Sequence, residues 1–289
     1  MTIFAILLLG VIQGAAELLP VSSSAHVILA AKIMGIRTSS PEFIFLLVML
    51  HTGTMFAVLY YFWPRWRWLL VRSSTADERR SKQHYWKMLI VATLCTGVLG
   101  FGLKVLIEKL ILEKLMGRDK AQVEDLFESL PLIAASLFTV GLFIIVAGAR
   151  EVNKEGVVST RSAVWIGLVQ GLCLPFRGFS RSGATISTAL CRGMARPLAE
   201  EFSFALAVIL TPPVIVRGLY RLLSRDWLGE ERMFDLLLPG LVGMVFSFLA
   251  GILALKFLSA VLENGRWKYF GYYCVVASAG MAAAAAAGF

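Results

Sequence analysis

The chain has 289 residues, of which 58% are hydrophobic and 16% charged, with a mean hydropathy of +0.75. Soluble domains carry roughly 25% charged residues, and apolar runs recur here from end to end, which excludes a soluble globular protein and leaves no room for a separate soluble domain of about 100 residues. The net charge of +9 does not argue for a nucleic-acid partner, because the Lys and Arg residues sit in short segments between apolar runs, where they set topology and anchor headgroups.

In chain order, the first apolar region, residues 3–36, is interrupted near its middle. Ile3 to Leu19 runs into Pro20-Val21-Ser22-Ser23-Ser24, and a second apolar run continues through Ile33. Each arm has roughly 12–17 residues, about 18–25 Å as helix, short for a crossing of ~30 Å. Met1 to Leu9 lacks the basic region of a secretory signal, no small-residue cleavage site follows, and the segment is expected to be retained. Residues 42–63, 86–108 and 131–149 are each long enough to span. A second broken region, 163–195, follows: Ala163 to Leu174, then Pro175-Phe176-Arg177-Gly178-Phe179-Ser180-Arg181-Ser182-Gly183, then another apolar arm. Further spans at 198–223, 234–258 and 268–288 bring the total to six.

The expected fold is therefore an all-α polytopic membrane protein in one integral membrane domain, residues 1–289, with six transmembrane helices and two re-entrant helix-loop-helix hairpins. Gly10-Val11-Ile12-Gln13-Gly14 is echoed by Gly167-Leu168-Val169-Gln170-Gly171, each followed by Leu-Pro and a Ser-rich loop. Chance accounts for the pentapeptide alone. The matching break, the Ser cluster and the three following spans favour duplication, with repeat 1 at about 1–150 and repeat 2 at about 160–289. Three spans is an odd number, so the hairpins enter from opposite faces, an inverted-topology repeat that gathers broken helices near the midplane. Arg65, Arg67, Arg72, Arg79, Arg80, Lys82 and Lys87 place the segment after the first full span in the cytoplasm. Loop 150–162 and Arg266-Trp267-Lys268 then also lie inside, while loops 109–130 and 224–235 and both termini lie outside. Cys95, Cys173, Cys191 and Cys274 form no CxxC pair and read as free structural thiols.

Two constellations can carry chemistry. Gln13 and Glu17, i and i+4, share a helix face that points toward the first break. Beyond it, Ser22 or Ser24 can cap the next arm, whose first N–H groups form an anion site, and Ser23 and His26 share a face of its first turn. Serines at a helix start are most often only caps and an interfacial histidine is most often structural, whereas an ionisable Glu17 inside an apolar hairpin costs about 2.5–3.5 kcal/mol and by default marks function. In the second constellation, Gly178-Phe179-Ser180-Arg181-Ser182-Gly183-Ala184-Thr185, glycines permit close backbone approach, hydroxyls donate to phosphate oxygens, and Arg181 offers a planar charged fork. A snorkelling interfacial arginine explains Arg177 but not the flanks of Arg181.

Gln13-x-x-x-Glu17 with Leu19-Pro20-Val21-Ser22-Ser23-Ser24-x-His26, together with the Ser180-Arg181-Ser182 loop and Glu201-Phe202-Ser203-Phe204, resembles the undecaprenyl-diphosphatase family associated with bacitracin resistance. The resemblance covers most of the chain. It implies interlocked inverted repeats, hydrolysis of undecaprenyl diphosphate to the monophosphate carrier used in cell-wall synthesis, and a divalent cation, Mg²⁺ or Ca²⁺, held in part by Glu17 and Gln13. The family's serine-histidine pair falls on Ser23 and His26 and its essential arginine on Arg181, while Ser180, Ser182, Gly183 and Thr185 fall on its phosphate-contacting loop beside Ser22 and Ser24 of the first hairpin. The sequence departs from the family in the shifted proline of Leu174-Pro175-Phe176-Arg177-Gly178 and in Ala25, where glycine is common. His51 resembles a recurring polar patch of the family and reads equally well as helix-packing glue. His84, in the basic loop, reads as a solvated surface residue.

The chemistry implied is an in-line displacement at the terminal phosphorus, with Ser23 as nucleophile and His26 or Glu17 handling its proton. His26 attacking directly, or activating water, remains open from sequence. The site is expected to face the periplasm of a bacterial inner membrane, with the polyprenyl lipid and the surrounding membrane lipids as partners, and a homodimer is compatible with it. The rival from a different class is a transporter or flippase of a phosphorylated polyprenyl lipid, since inverted repeats with broken helices also build transporters.

Overall fold

The computed structural model describes residues 1–71, 73, 75–109, 129–150, 156–224 and 230–287. Among them are ten helices and no strand: α1 Ile3–Leu18, α2 Ser23–Ile33, α3 Pro41–Leu70, α4 Ala76–Leu106, α5 Leu130–Gly148, α6 Thr160–Cys173, α7 Arg181–Cys191, α8 Arg196–Ser224, α9 Glu230–Glu263 and α10 Lys268–Ala286. Six of them, α3, α4, α5, α8, α9 and α10, are long and apolar enough to cross a membrane, each covering one of the six expected spans. Much of loops 109–130, 150–162 and 224–235 lies outside the described residues.

The helices outrun the apolar windows. At 30 residues α3 is about 45 Å long, because it is capped early by Ser40, whose hydroxyl accepts from Phe43 N–H with Pro41 in the first turn, and continues through Trp66, Arg67 and Trp68. Thr75 caps α4 in the same way through the Glu78 N–H. The four described cysteines are free, as expected.

The two pairs of short helices, α1–α2 and α6–α7, each fold back on themselves, and each is held by the other half of the chain. Helix α1 packs along α9, α6 along α4, α5 along α10, and α3 against α8 and α9. Numbering the helices within each half, the first of either half lies on the fourth of the other, and fifth lies on fifth. The echoed glycines make the first of these contacts possible. A Cβ on Gly10 would stand 3.0 Å from the Gly243 carbonyl of α9, and one on Gly171 would stand 2.9 Å from the Thr96 carbonyl of α4. Gly14 likewise faces the Ser247 carbonyl and Gly167 the Ala92 carbonyl. Gly-x-x-x-Gly thus lets backbones approach where lipid offers no hydrophobic drive.

The buried core runs through both halves, with Phe43, Phe62, Phe202, Phe204 and Trp267 among its largest side chains. It fixes the two hairpins so that their breaks meet.

Candidate active site

Helix α1 ends where Leu19 turns extended (φ −73°, ψ 152°) ahead of Pro20, the conformation that proline imposes on its predecessor. Val21 N–H donates to the Leu19 carbonyl at 2.8 Å, and Ser22 then takes φ 67°, a left-handed backbone disfavoured for a residue with a Cβ. The structure corrects the expected capping: Ser22 is the N-cap residue of α2, yet its hydroxyl makes no cap bond and lies 3.4 Å from Ser24 Oγ. The left-handed turn carries the side chain away from the amides, leaving the first turn of α2 without a hydroxyl cap.

The second break spans Leu174 to Ser180, with Gly178 at φ 96° lying against the Ile133 carbonyl of α5. Here the serine does cap: Gly183 N–H donates to Ser180 Oγ at 3.2 Å. Arg181, Ser182 and Gly183, expected in the loop, already form the first turn of α7. The breaks touch, since Ser182 Oγ donates to the Leu19 carbonyl at 3.2 Å and a Cβ on Gly183 would come within 3.3 Å of Pro20 Cβ.

A cavity of about 230 Å³ opens where they meet. Its polar lining comes from Gln13, Glu17, Ser22, Ser23 and Ser24 of the first hairpin, Arg177, Ser180, Arg181 and Ser182 of the second, and His51 of α3, so Arg177, expected to reach only for headgroups, belongs to the cavity as well. Val27, Ile28, Leu47, Leu174, Phe176 and Phe179 give it an apolar side. Glu17 is the hub. One carboxylate oxygen accepts from Arg181 Nη2 at 3.1 Å; the other accepts from Ser23 Oγ at 2.5 Å and Gln13 Nε2 at 3.2 Å, with His51 Nε2 at 3.9 Å. Residues 164 positions apart therefore share one ion pair, its side chains only 17% and 20% exposed.

Three of the expected site residues stand outside the cavity lining. His26 does not share its direction with Ser23: its Nδ1 lies 2.8 Å from the Ser22 carbonyl and its Nε2 2.7 Å from the Tyr273 hydroxyl of α10, which draws the ring away from the cavity. Thr185 is fully buried within α7, donating to the Arg181 carbonyl at 2.8 Å and lying 2.5 Å from Ser203 Oγ of α8, so it braces the arginine's helix. Gly183 serves the close approach of the breaks. Ser203, part of the Glu201-Phe202-Ser203-Phe204 match, thus touches the site through Thr185, while Glu201 accepts from the Tyr85 hydroxyl at 3.2 Å. His84 is exposed and its Nε2 lies 2.7 Å from the Val158 carbonyl.

Among the described residues no group of three or more His, Cys, Asp or Glu forms a metal cluster. The donors present, one carboxylate, one amide carbonyl and several hydroxyls, fit a hard cation that keeps most of its ligands as water and substrate phosphate oxygens. Sequence reasoning left His51 undecided and did not single out Tyr273. The Nδ1 of His51 lies 2.8 Å from the Leu47 carbonyl, which turns Nε2 into the cavity.

A family profile described as bacitracin resistance protein BacA matches residues 6–280. The chain is 52% identical over 282 residues to undecaprenyl-diphosphatase 2 of Acinetobacter baylyi, covering 96% of each chain. It is 33% identical to undecaprenyl-diphosphatase of Desulfosudis oleivorans, over 93% of each chain, and 31% identical to undecaprenyl-diphosphatase of Halothermothrix orenii, over 95% of each.

Proposed function

The chain belongs to the bacitracin resistance protein BacA family, and from that premise we propose that it is an undecaprenyl-diphosphate phosphatase working at the junction of its two hairpins. The enzyme is a multi-pass membrane hydrolase that returns the polyprenyl monophosphate carrier to cell-wall synthesis. One observation carries the site assignment: Glu17 binds Ser23 Oγ and Arg181 Nη2 at once, from opposite halves of the chain. The polar floor suits a diphosphate and the Val27, Ile28, Leu47, Phe176 and Phe179 side suits the first units of an isoprenoid.

In the reaction, Ser23 Oγ attacks the terminal phosphorus while its proton passes to Glu17, the group it already touches. The bond from that phosphorus to the bridging oxygen breaks, and undecaprenyl phosphate leaves as a dianion that needs no proton. Water then attacks the phosphoserine. Ser23 Oγ departs, recovering the proton from Glu17, and the two protons of the water leave on inorganic phosphate. Arg181 has five N–H donors, so it can hold Glu17 and phosphoryl oxygens together as charge moves onto them. The uncapped N–H groups of α2 face the same charge. Mg²⁺ or Ca²⁺, held by Glu17 and Gln13, would neutralise phosphoryl charge when bound.

The proposal extends to the membrane. The hairpins are re-entrant, the two repeats form one domain, and the site opens to the periplasm, as the basic residues after α3 support. The decisive measurement uses purified protein in detergent with undecaprenyl diphosphate. Phosphate release that Arg181→Ala abolishes is the expected result; binding without release identifies a carrier instead. Quenching with labelled substrate should trap phosphoserine, and an adduct that survives Ser23→Ala rules out Ser23 as the nucleophile.

A further inference from the structure

His26 is set apart from the cavity by what its two ring nitrogens touch. A carbonyl only accepts, so the 2.8 Å contact to Ser22 O puts a proton on Nδ1. In the neutral ring Nε2 is then an acceptor, and the Tyr273 hydroxyl at 2.7 Å donates to it. The two rings also stack, with centroids 5.7 Å apart and planes 14° from parallel. The next residue of α10, Cys274, donates its thiol to the Pro20 carbonyl at 3.3 Å. Helix α10 of the second half therefore grips the first break at two consecutive residues, on either side of Ser22.

What the grip holds is the left-handed turn at Ser22, φ 67°, ψ 97°, directly before Ser23. The backbone alone holds it weakly, since the His26 N–H reaches the Ser22 carbonyl only at 3.4 Å. The imidazole Nδ1–H supplies the shorter bond to the same oxygen. We infer that His26 and Tyr273 are positioning residues that form a clip: Tyr273 holds the ring in its Nδ1–H tautomer, and the ring holds the Ser22 turn that aims Ser23 Oγ at Glu17. On this assignment His26 neither attacks phosphorus nor takes the proton of Ser23. The clip's effect on turnover rests on the phosphatase reading above; the tautomer does not.

Two measurements separate these. The first is ¹⁵N NMR of histidine-labelled protein in detergent, with the His26 signals assigned by their loss in His26→Asn. A neutral ring with Nδ1 protonated and Nε2 unprotonated is the expected state, disturbed by Tyr273→Phe; a neutral ring with its proton on Nε2 and none on Nδ1 overturns the clip whatever the enzyme does. The second is steady-state phosphate release. Asn can place an amide N–H near the Nδ1 position but can neither attack nor shuttle a proton, so His26→Asn should keep at least about a tenth of wild-type kcat while His26→Ala loses about 10²-fold by misplacing Ser23. Tyr273→Phe should lower kcat several-fold with KM unchanged, and should add nothing in the His26→Ala background. His26→Asn as inactive as His26→Ala, a trapped phosphohistidine, or full additivity of Tyr273→Phe with His26→Ala would each overturn the inference.

Discussion

Replacing Glu17 with Gln changes one oxygen to an NH₂ and almost no volume, so its consequences isolate the carboxylate. In the folded protein that group accepts from Ser23 Oγ at 2.5 Å, Gln13 Nε2 at 3.2 Å and Arg181 Nη2 at 3.1 Å. The amide retains one acceptor for Arg181, and Gln13 can rotate its own amide to meet the new N–H₂, so the hairpins should stay together. The base, however, is gone. General-base assistance is worth about 10²–10⁴-fold, so kcat should fall by that factor, about 3–6 kcal/mol at ~1.4 kcal/mol per decade. KM should hold or drop, because a negative charge beside the diphosphate has been removed. Phosphate release at saturating undecaprenyl diphosphate measures the first quantity and its concentration dependence the second. A kcat within about tenfold of wild type, with KM raised, would show that Glu17 only binds, and the proton path through it would be refuted.

Arg181→Lys keeps the charge but loses the fork that reaches Glu17 and a phosphoryl group together, and kcat/KM for phosphate release should fall about 10²-fold; wild-type kinetics would relegate Arg181 to topology. Gly14→Ala drives a methyl into the Ser247 carbonyl and to 2.8 Å from Ala250 Cβ, so thermal unfolding in detergent should show a loss of about 1–3 kcal/mol from overpacking, and an unchanged midpoint would contradict the α1–α9 contact. Chelation of divalent cations should suppress phosphate release, with Mg²⁺ or Ca²⁺ restoring it; full activity after exhaustive chelation would remove the metal from the reaction.

The two breaks were legible because proline and a Ser cluster leave a mark that lipid-facing sequence rarely carries, and Glu17 because a carboxylate in an apolar arm demands a reason. The glycine pentapeptide was legible as an echo but not as a contact. Which helix Gly10 and Gly14 approach depends on α9, more than 200 residues away, and apolar helices of similar composition are interchangeable on paper. The direction of His26 was hidden for the same reason: three residues from Ser23 puts it on a neighbouring face, and the choice between cavity and exterior is made by Tyr273, 247 positions on. The left-handed turn at Ser22 runs against its residue type, so local propensity pointed to an ordinary cap. Of the three histidines, His51 enters the cavity because its Nδ1 is taken by the Leu47 carbonyl one turn back, an orientation no spacing rule supplies.

The two halves also explain why the site is asymmetric. Aligned on the first residues of α2 and α7, Ser22-Ser23-Ser24-Ala25 faces Ser180-Arg181-Ser182-Gly183, and the flanking serine pairs have the same 3.4 Å separation in both. The position between them holds a hydroxyl in one half and a guanidinium in the other, the two groups that the proposed mechanism brings to one phosphorus. Gln13 and Gln170 occupy matching places in α1 and α6, yet four residues later the first half has Glu17 and the second Leu174. Gln170 is accordingly fully buried, donating to Thr96 Oγ1 at 3.1 Å, and takes no part in the cavity. Leu174 instead adds to the apolar lining of the cavity, with its Cδ1 against Gly100 of α4, and a second carboxylate there would add negative charge to a site proposed for an anionic substrate. The proposed chemistry thus needs the two halves to differ at two positions, Glu17 against Leu174 and Ser23 against Arg181.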